Sequence, residues 1–435
     1  MRAITFIRQK TDKLPNWAVS VLIGLASFCV YTSMYAFRKA FAAGTFSNHQ
    51  FFYIDYKVWL VIAQVCGYTL SKFYGIRFIS SVNHTKRGRY IIILITLAWV
   101  ALLGFAIIPA PYNIVFLFIN GFPLGMIWGL VFSYVEGRRS TEFMAAILSI
   151  SLIFASGFVK TIGRSLIIFY HLNQYWMPFV TGLIFIAPLL IFVCCLEVLP
   201  PPNQQDIQAR KKRNPMNSAD RKKFIANFLP GIVLTLIIYV LLTIMRDVRD
   251  NFEVEIWTDL GIKGNTIYTK VDAIISVIVL FMISLLILIR KNINAFIIIH
   301  VIIIGGCVLV GTSTLLFNFN LIGAIYWMFC VGLGLYMAYI PYNAIFFERM
   351  IACFKFNSNV GFVMYIADSA GYLGSISILL IKELGRPTIS WGTFFKECVL
   401  LVSIVGAISA FLSLLYFIRK YKKTENLKNI LSYEQ

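Results

Sequence analysis

Charge is scarce in this chain. Of its 435 residues only 13% are charged, and 19 Asp and Glu stand against 39 Lys and Arg. A soluble protein carries about 25% charged residues, so this composition excludes an ordinary water-soluble domain. Histidines are few and scattered: His49, His84, His171 and His300 fall in four different segments. No His/Asp, Ser/His or metal-ligand constellation gathers within an apolar run, which argues against an enzyme. No Gly-x-x-x-x-Gly-Lys-Ser/Thr segment occurs, which excludes that nucleotide-binding loop as an energy source. The eight cysteines, among them Cys29, Cys66, Cys194 and Cys195, show neither metal-ligand spacing nor a secreted disulfide framework. They read as small apolar core residues. No cofactor and no metal is expected.

What is abundant is apolar length. Hydrophobic residues make up 59% of the chain, and the mean hydropathy is +0.79. A membrane-spanning helix needs roughly 20 apolar residues. Twelve such runs are predicted, near 16–40, 56–79, 90–109, 112–136, 143–169, 174–198, 225–248, 267–289, 295–316, 321–347, 358–382 and 392–418. All are expected to be helices, because lipid-exposed backbone has to satisfy its own hydrogen bonds. The first run follows a basic N-terminus and lacks a small-residue cleavage site, so it reads as a retained span and not as a signal peptide. The fold class is therefore an all-α membrane protein of twelve transmembrane helices.

One long hydrophilic break, Pro200 to Lys223, contains Pro200-Pro201-Pro202 and the runs Arg210-Lys211-Lys212-Arg213 and Arg221-Lys222-Lys223. It sets the expected organisation: an N-terminal six-helix bundle over 1–199, a basic linker over 200–224, a C-terminal six-helix bundle over 225–418 and a tail over 419–435. Alternate loops are basic, for example Lys86/Arg87/Arg89, Arg138/Arg139 and Arg290/Lys291. The positive-inside rule then puts both termini in the cytoplasm. The net charge of +20 sits in these short loops, which points to anionic lipid and away from nucleic acid. The halves also echo each other. Tyr31 lies seven residues before Arg38, and Tyr239 lies seven before Arg246. Two parallel six-helix repeats are the organisation of major facilitator transporters.

The informative residues are the few charges inside or ending the apolar runs, where an ion is costly and usually functional. Lys72 lies inside the second run and Lys160 inside the fifth; Asp368 lies inside the eleventh. Arg38 ends the first run, and Arg246 and Arg249 end the seventh. Spacings of three and four put Tyr31, Tyr35 and Arg38 on one helix face. Gln64, Tyr68 and Lys72 share another, and Tyr365, Asp368, Tyr372 and Ser375 a third. Such stripes suit an aqueous cavity between helices. Arginine fits phosphate and carboxylate through its planar donor fork, and lysine adds a point charge. The bland alternatives are snorkelling for Arg38 and Arg249, and an extracellular salt-bridge cluster in which Arg246-Asp247 and Arg249-Asp250 join Glu253 and Glu255. For Asp368 and Lys160 the expected roles are coupling or an ion pair, with Lys72 the first partner expected for Asp368. Trp128, Tyr336, Tyr339 and Tyr342 line the same cavity or serve helix packing.

Tyr35-Ala36-Phe37-Arg38-Lys39-Ala40-Phe41 resembles the first-helix signature of the organophosphate:phosphate antiporters, the glycerol-3-phosphate and hexose-phosphate transporters of the major facilitator superfamily. Ser71-Lys72-Phe73 is similar to that family's second-helix segment. The resemblance implies that Arg38 binds phosphate, that Lys72, Tyr31 and Tyr35 lie in the pore, and that a span-seven arginine, Arg246 or Arg249, completes the site. The loop Ser80 to Arg89 keeps the basic part of that family's pattern and lacks its aspartate. The expected function is a secondary transporter of a small organic anion, a phosphorylated metabolite foremost. The alternatives are proton-coupled transport of a non-phosphorylated solute through Asp368, or a transporter-like sensor. Expected partners are the anionic substrate and membrane lipid, for a monomer in a bacterial inner membrane.

Overall fold

A computed structural model describes residues 14–47, 49–81, 86–136, 138, 140–201, 206, 218–354 and 360–433. Each of the twelve expected spans coincides with a helix. They are α1 (Asn16–Arg38), α2 (Tyr56–Ser81), α3 (Arg87–Ile107), α4 (Ile114–Val135), α5 (Thr141–Phe169), α6 (Met177–Val198), α7 (Ser218–Asp259), α8 (Ile267–Ile287), α9 (Asn292–Asn318), α10 (Ala324–Pro341), α11 (Val360–Gly385) and α12 (Trp391–Tyr433). After α10 the chain continues through a π-helical turn, Tyr342–Phe346, into a short helical segment, Phe347–Phe354. Among the described residues, ten of these helices are long and apolar enough to cross a membrane. The chain is an integral membrane protein of all-α class.

Two boundaries differ from the sequence expectation. Arg246 and Arg249 do not end the seventh span: α7 runs on to Asp259, with a break in helical geometry at Phe252 (φ −115°, ψ 20°). Arg249, Glu253 and Glu255 are matched by partners on other helices, so the helix continues through them. Likewise α12 runs past residue 418 to Tyr433. Most of the basic linker, including Pro202 and Arg210 to Arg213, lies outside the described residues, as do Arg2, Arg8, Lys10 and Lys13.

The chain packs as two compact units. One comprises residues 1–210, 248–280 and 376–393, and the other 211–247, 281–375 and 394–435. In the first unit a two-stranded hairpin joins α1 to α2, pairing Gln50 with Asp55 and Phe51 with Ile54. Its turn residues, Phe52 (φ 52°) and Tyr53 (φ 61°), both adopt the left-handed conformation, as a tight two-residue hairpin turn requires. Their side chains are 71% and 90% exposed. Also in this unit, α2 and α4 approach closely through small residues. A Cβ on Gly67 would stand 2.1 Å from the Phe118 carbonyl oxygen, and one on Gly121 2.3 Å from that of Gln64. Small residues let helix backbones meet where lipid supplies no hydrophobic drive. Gly67→Val or Gly121→Val is expected to force these helices apart and cost about 1–3 kcal/mol of stability, read as a lower unfolding temperature of the detergent-purified protein. Gly264→Val, which meets nothing within 4 Å, is the control.

In the second unit the core is aromatic, with Phe296, Phe346 and Phe417 packed around His300. His300 is buried, and its ring nitrogens meet the Phe296 carbonyl at 2.9 Å and Ser413 Oγ at 3.2 Å. These contacts tie α9 to α12.

Candidate functional site

In the first unit the stripes of α1 and α2 converge on the ring of Tyr68. The Arg38 guanidinium lies 4.0 Å from the Tyr68 centroid and 5.8 Å from that of Tyr35. The Lys72 ammonium lies 5.4 Å from the same Tyr68 ring. Both cations therefore sit on aromatic faces, whose quadrupole favours positive charge. Tyr31 packs edge-on to Tyr35 (5.6 Å) and to Trp128 of α4 (4.9 Å), and its hydroxyl is hydrogen-bonded to Tyr68. Arg38 is only 8% exposed, so it is held inside the bundle and does not extend from a helix end.

An amide clamp, which sequence reasoning missed, fixes the end of α1. Gln64 Nε2 donates to the Arg38 carbonyl at 2.7 Å and to Asn120 Oδ1 at 2.8 Å. Asn120 Nδ2 in turn donates to the carbonyls of Phe37 (3.0 Å) and Ala98 (2.9 Å). Asn120 is buried inside α4. Its signal in the sequence is a single amide in an apolar run, which buried polar chemistry makes worth noting.

A second cluster in the same unit joins α5 to α7 and α8. Lys160, Arg249, Glu253 and Asp272 are all 0% exposed. Lys160 pairs with Glu253 and donates to the Asp250 carbonyl at 3.0 Å. Arg249 Nη2 meets Asp272 Oδ1 at 2.7 Å and Glu253 Oε1 at 3.7 Å. Two cations and two carboxylates make the quartet neutral, the condition for tolerating buried charge. Gly157 leaves room for it: a Cβ there would stand 2.6 Å from Asp272 Oδ2. Around the quartet, Lys57 pairs with Glu255 at 2.5 Å, and Lys39 donates to Asn251 Oδ1 at 2.7 Å. Glu383 pairs with Lys382 at 2.8 Å and accepts from the Asp55 amide at 3.0 Å. Asp55 lies outside the spans; burial, and then the nearby Glu383 carboxylate, push its carboxyl above the usual range. Phe252 stacks on Trp391 with centroids 3.5 Å apart.

The salt-bridge alternative for Arg249 thus matches this geometry through Glu253. Asp272, its closer partner, was not singled out in the sequence, although an aspartate inside a membrane-length run is the same signal that marks Asp368.

In the second unit Arg246 is 4.3 Å from the Tyr339 centroid and 2.7 Å from Asp247 Oδ1. Ser375 Oγ donates to Asp247 Oδ2 at 2.8 Å. Tyr239 donates to Asp368 Oδ1 at 2.5 Å, and its ring lies 5.5 Å from Tyr339. Arg246, Asp247, Ser375, Tyr339, Tyr239 and Asp368 therefore form one connected polar patch. The side chain of Tyr365, the first residue of the α11 stripe, lies outside the described residues. Lys72 and Asp368 belong to different units.

Residues 40–420 match the model of the family described as "Family of unknown function (DUF5690)". The chain belongs to the DUF5690 family. No curated protein matches it. Among solved structures, this DUF5690 chain is similar to a D-xylose–proton symporter, with a TM-score of 0.61 at 15% identity over 91% of this chain and 97% of that one. It is also similar to the proton:xylose symporter XylE bound to 6-bromo-6-deoxy-D-glucose, with a TM-score of 0.60 at 14% identity, covering 93% and 97% of the two chains. The inward-open xylose transporter XylE from E. coli matches with a TM-score of 0.56 at 13% identity, covering 91% and 95%. The likeness establishes the major facilitator fold for this DUF5690 member.

Proposed function

We propose that this DUF5690 protein is a secondary transporter that moves a small organic anion by alternating access, with a phosphorylated metabolite as the leading substrate. The observation that carries the reading is the placement of Arg38 and Lys72 on the ring of one tyrosine, Tyr68. A guanidinium fork beside an ammonium suits phosphate or carboxylate. Tyr31, Tyr35 and Tyr68 supply hydroxyls for the same ligand. Arg246 is the proposed span-seven cation. It keeps the tyrosine spacing of Arg38 and an aromatic face of its own, Tyr339, whereas Arg249 is engaged by Asp272 and Glu253. Exchange against phosphate is the finer proposal, resting on the resemblance of the α1 and α2 segments. The protein is further proposed to act as a monomer in a bacterial inner membrane with both termini cytoplasmic.

A thermal-shift screen with phosphate, sugar phosphates and carboxylates tests this reading. A ligand that binds only the folded protein at 100 times its Kd adds about 2.7 kcal/mol of stability. At least one phosphate-bearing compound is expected to raise the unfolding temperature. A rise with neutral sugars alone would overturn the anion assignment.

A second reading, proton-coupled transport of a non-phosphorylated solute, is favoured by one observation: the 2.5 Å hydrogen bond from Tyr239 to Asp368, which gives a carboxylate inside a span a defined donor. The solved neighbours named as xylose–proton symporters supply the analogy. Asp368→Asn separates the two. Transport that continues but loses its pH dependence supports the proton role. A gain in anion affinity with an unchanged pH profile supports competition between Asp368 and the substrate.

A further inference from the structure

On α12 one stripe changes character along its length. Leu412 and Leu415 are apolar, Tyr416 is amphipathic, and Arg419, Lys420 and Lys423 are basic. The steps of three and one keep them on one helix face. Together with Leu234 of α7 they line a cavity of about 680 Å³. Lys420 is fixed at its wall: its ammonium bonds the Asn227 carbonyl and lies 4.6 Å from the Phe228 ring. Tyr416 donates to the same carbonyl at 3.2 Å. Arg419 and Lys423 are exposed at the rim, one helical turn apart. Among the described residues, no acidic side chain lines the cavity.

We infer that this groove binds one anionic phospholipid, with its phosphate on Arg419 and Lys423 and an acyl chain against Leu234, Leu412 and Leu415. The apolar end would find no partner in a soluble anion. The basic end would be wasted on a zwitterionic or neutral lipid, because juxtamembrane Lys and Arg attract anionic headgroups. Leu412 to Lys423 spans about 16 Å of helix at 1.5 Å per residue, which fits a headgroup and the upper part of a chain. Tyr416 stands between them, where amphipathic rings mark the interface. The inference does not depend on the transport reading.

The test is native mass spectrometry of the full chain, extracted in mild detergent from nanodiscs of phosphatidylethanolamine and phosphatidylglycerol. The wild type is expected to retain a phosphatidylglycerol adduct. Arg419→Gln/Lys423→Gln should lower that retention on the order of tenfold, the scale set by two juxtamembrane charges. Arg290→Gln/Lys291→Gln removes the same charge from another exposed loop and should leave retention unchanged. Leu415→Trp fills the groove, keeps every charge and should also lose the adduct. If both charge variants lose the lipid equally, general surface charge is responsible and the site is refuted. Unchanged retention in Leu415→Trp, or displacement of the lipid by millimolar inorganic phosphate, refutes it as well. Each variant's unfolding temperature in phosphatidylcholine nanodiscs shows whether it has folded. If Arg419→Gln/Lys423→Gln does not fold, the Leu415→Trp result decides.

Discussion

Replacing Glu253 by glutamine is expected to destabilise the protein by about 3–5 kcal/mol, the usual cost of leaving one member of a buried ion pair without its partner. Lys160 is 0% exposed, and its ammonium has Glu253 as its carboxylate and the Asp250 carbonyl as a second acceptor. Glutamine preserves shape and removes only charge, so the quartet with Arg249 and Asp272 gains one uncompensated positive charge in a fully buried site. Lys160→Met removes the matching charge and should be costly by itself. The double variant should recover most of the loss, because removing both charges leaves neither buried without its partner. Denaturant unfolding of all four proteins gives the coupling energy by a double-mutant cycle. Additive effects, or a single-variant loss below about 1 kcal/mol, would show that the pair contributes no more than a surface contact.

Arg38→Gln is expected to cut the anion-induced thermal shift of the wild type by about half or more while leaving the basal unfolding temperature within a few degrees. A hydrogen bond to a charged group is worth about 1.5–3 kcal/mol, so losing a bidentate arginine contact weakens binding roughly tenfold to several hundredfold. Lys72→Gln should lose about tenfold, since lysine acts as a point charge without a fork. Lys at position 38 should rescue only part of the affinity, for the same reason. A titration of ligand against unfolding temperature separates affinity from stability. Full binding by Arg38→Gln would remove Arg38 from the site and with it the main support for an anionic substrate.

The fold was legible because its signal is long and redundant. Twelve apolar runs appear as twelve helices, and the Tyr31/Tyr35/Arg38 and Gln64/Tyr68/Lys72 stripes come together around Tyr68. Helical spacing alone predicts such stripes, since they lie within single helices. The quartet was harder to read. Arg249 and Glu253 are one turn apart and belong to one expected salt-bridge cluster, but Asp272 is on another helix and Lys160 on a third. Sequence spacing carries no information about which distant charge will meet them. The same blindness shortened the seventh span. Arg249 to Glu255 read as an aqueous end, because the residues that neutralise them, Lys57, Lys160 and Asp272, are far away in the chain. Asn120 went unread because one amide makes no stripe.

Helix α2 has a consequence for how the protein is made. It carries Lys72, and a lysine near the centre of a helix costs about 2.5–3.5 kcal/mol on insertion scales. Its close backbone contacts are with Phe118 and Gly121 of α4. On the ribosome, α2 therefore emerges before the helix that receives it has been synthesised. Stable insertion of α2 is expected to depend on α4, and truncation of the nascent chain before α4 should leave α2 poorly integrated. The expected integrating unit is then the pair α2 and α4 with the segment between them, and not the single hydrophobic helix.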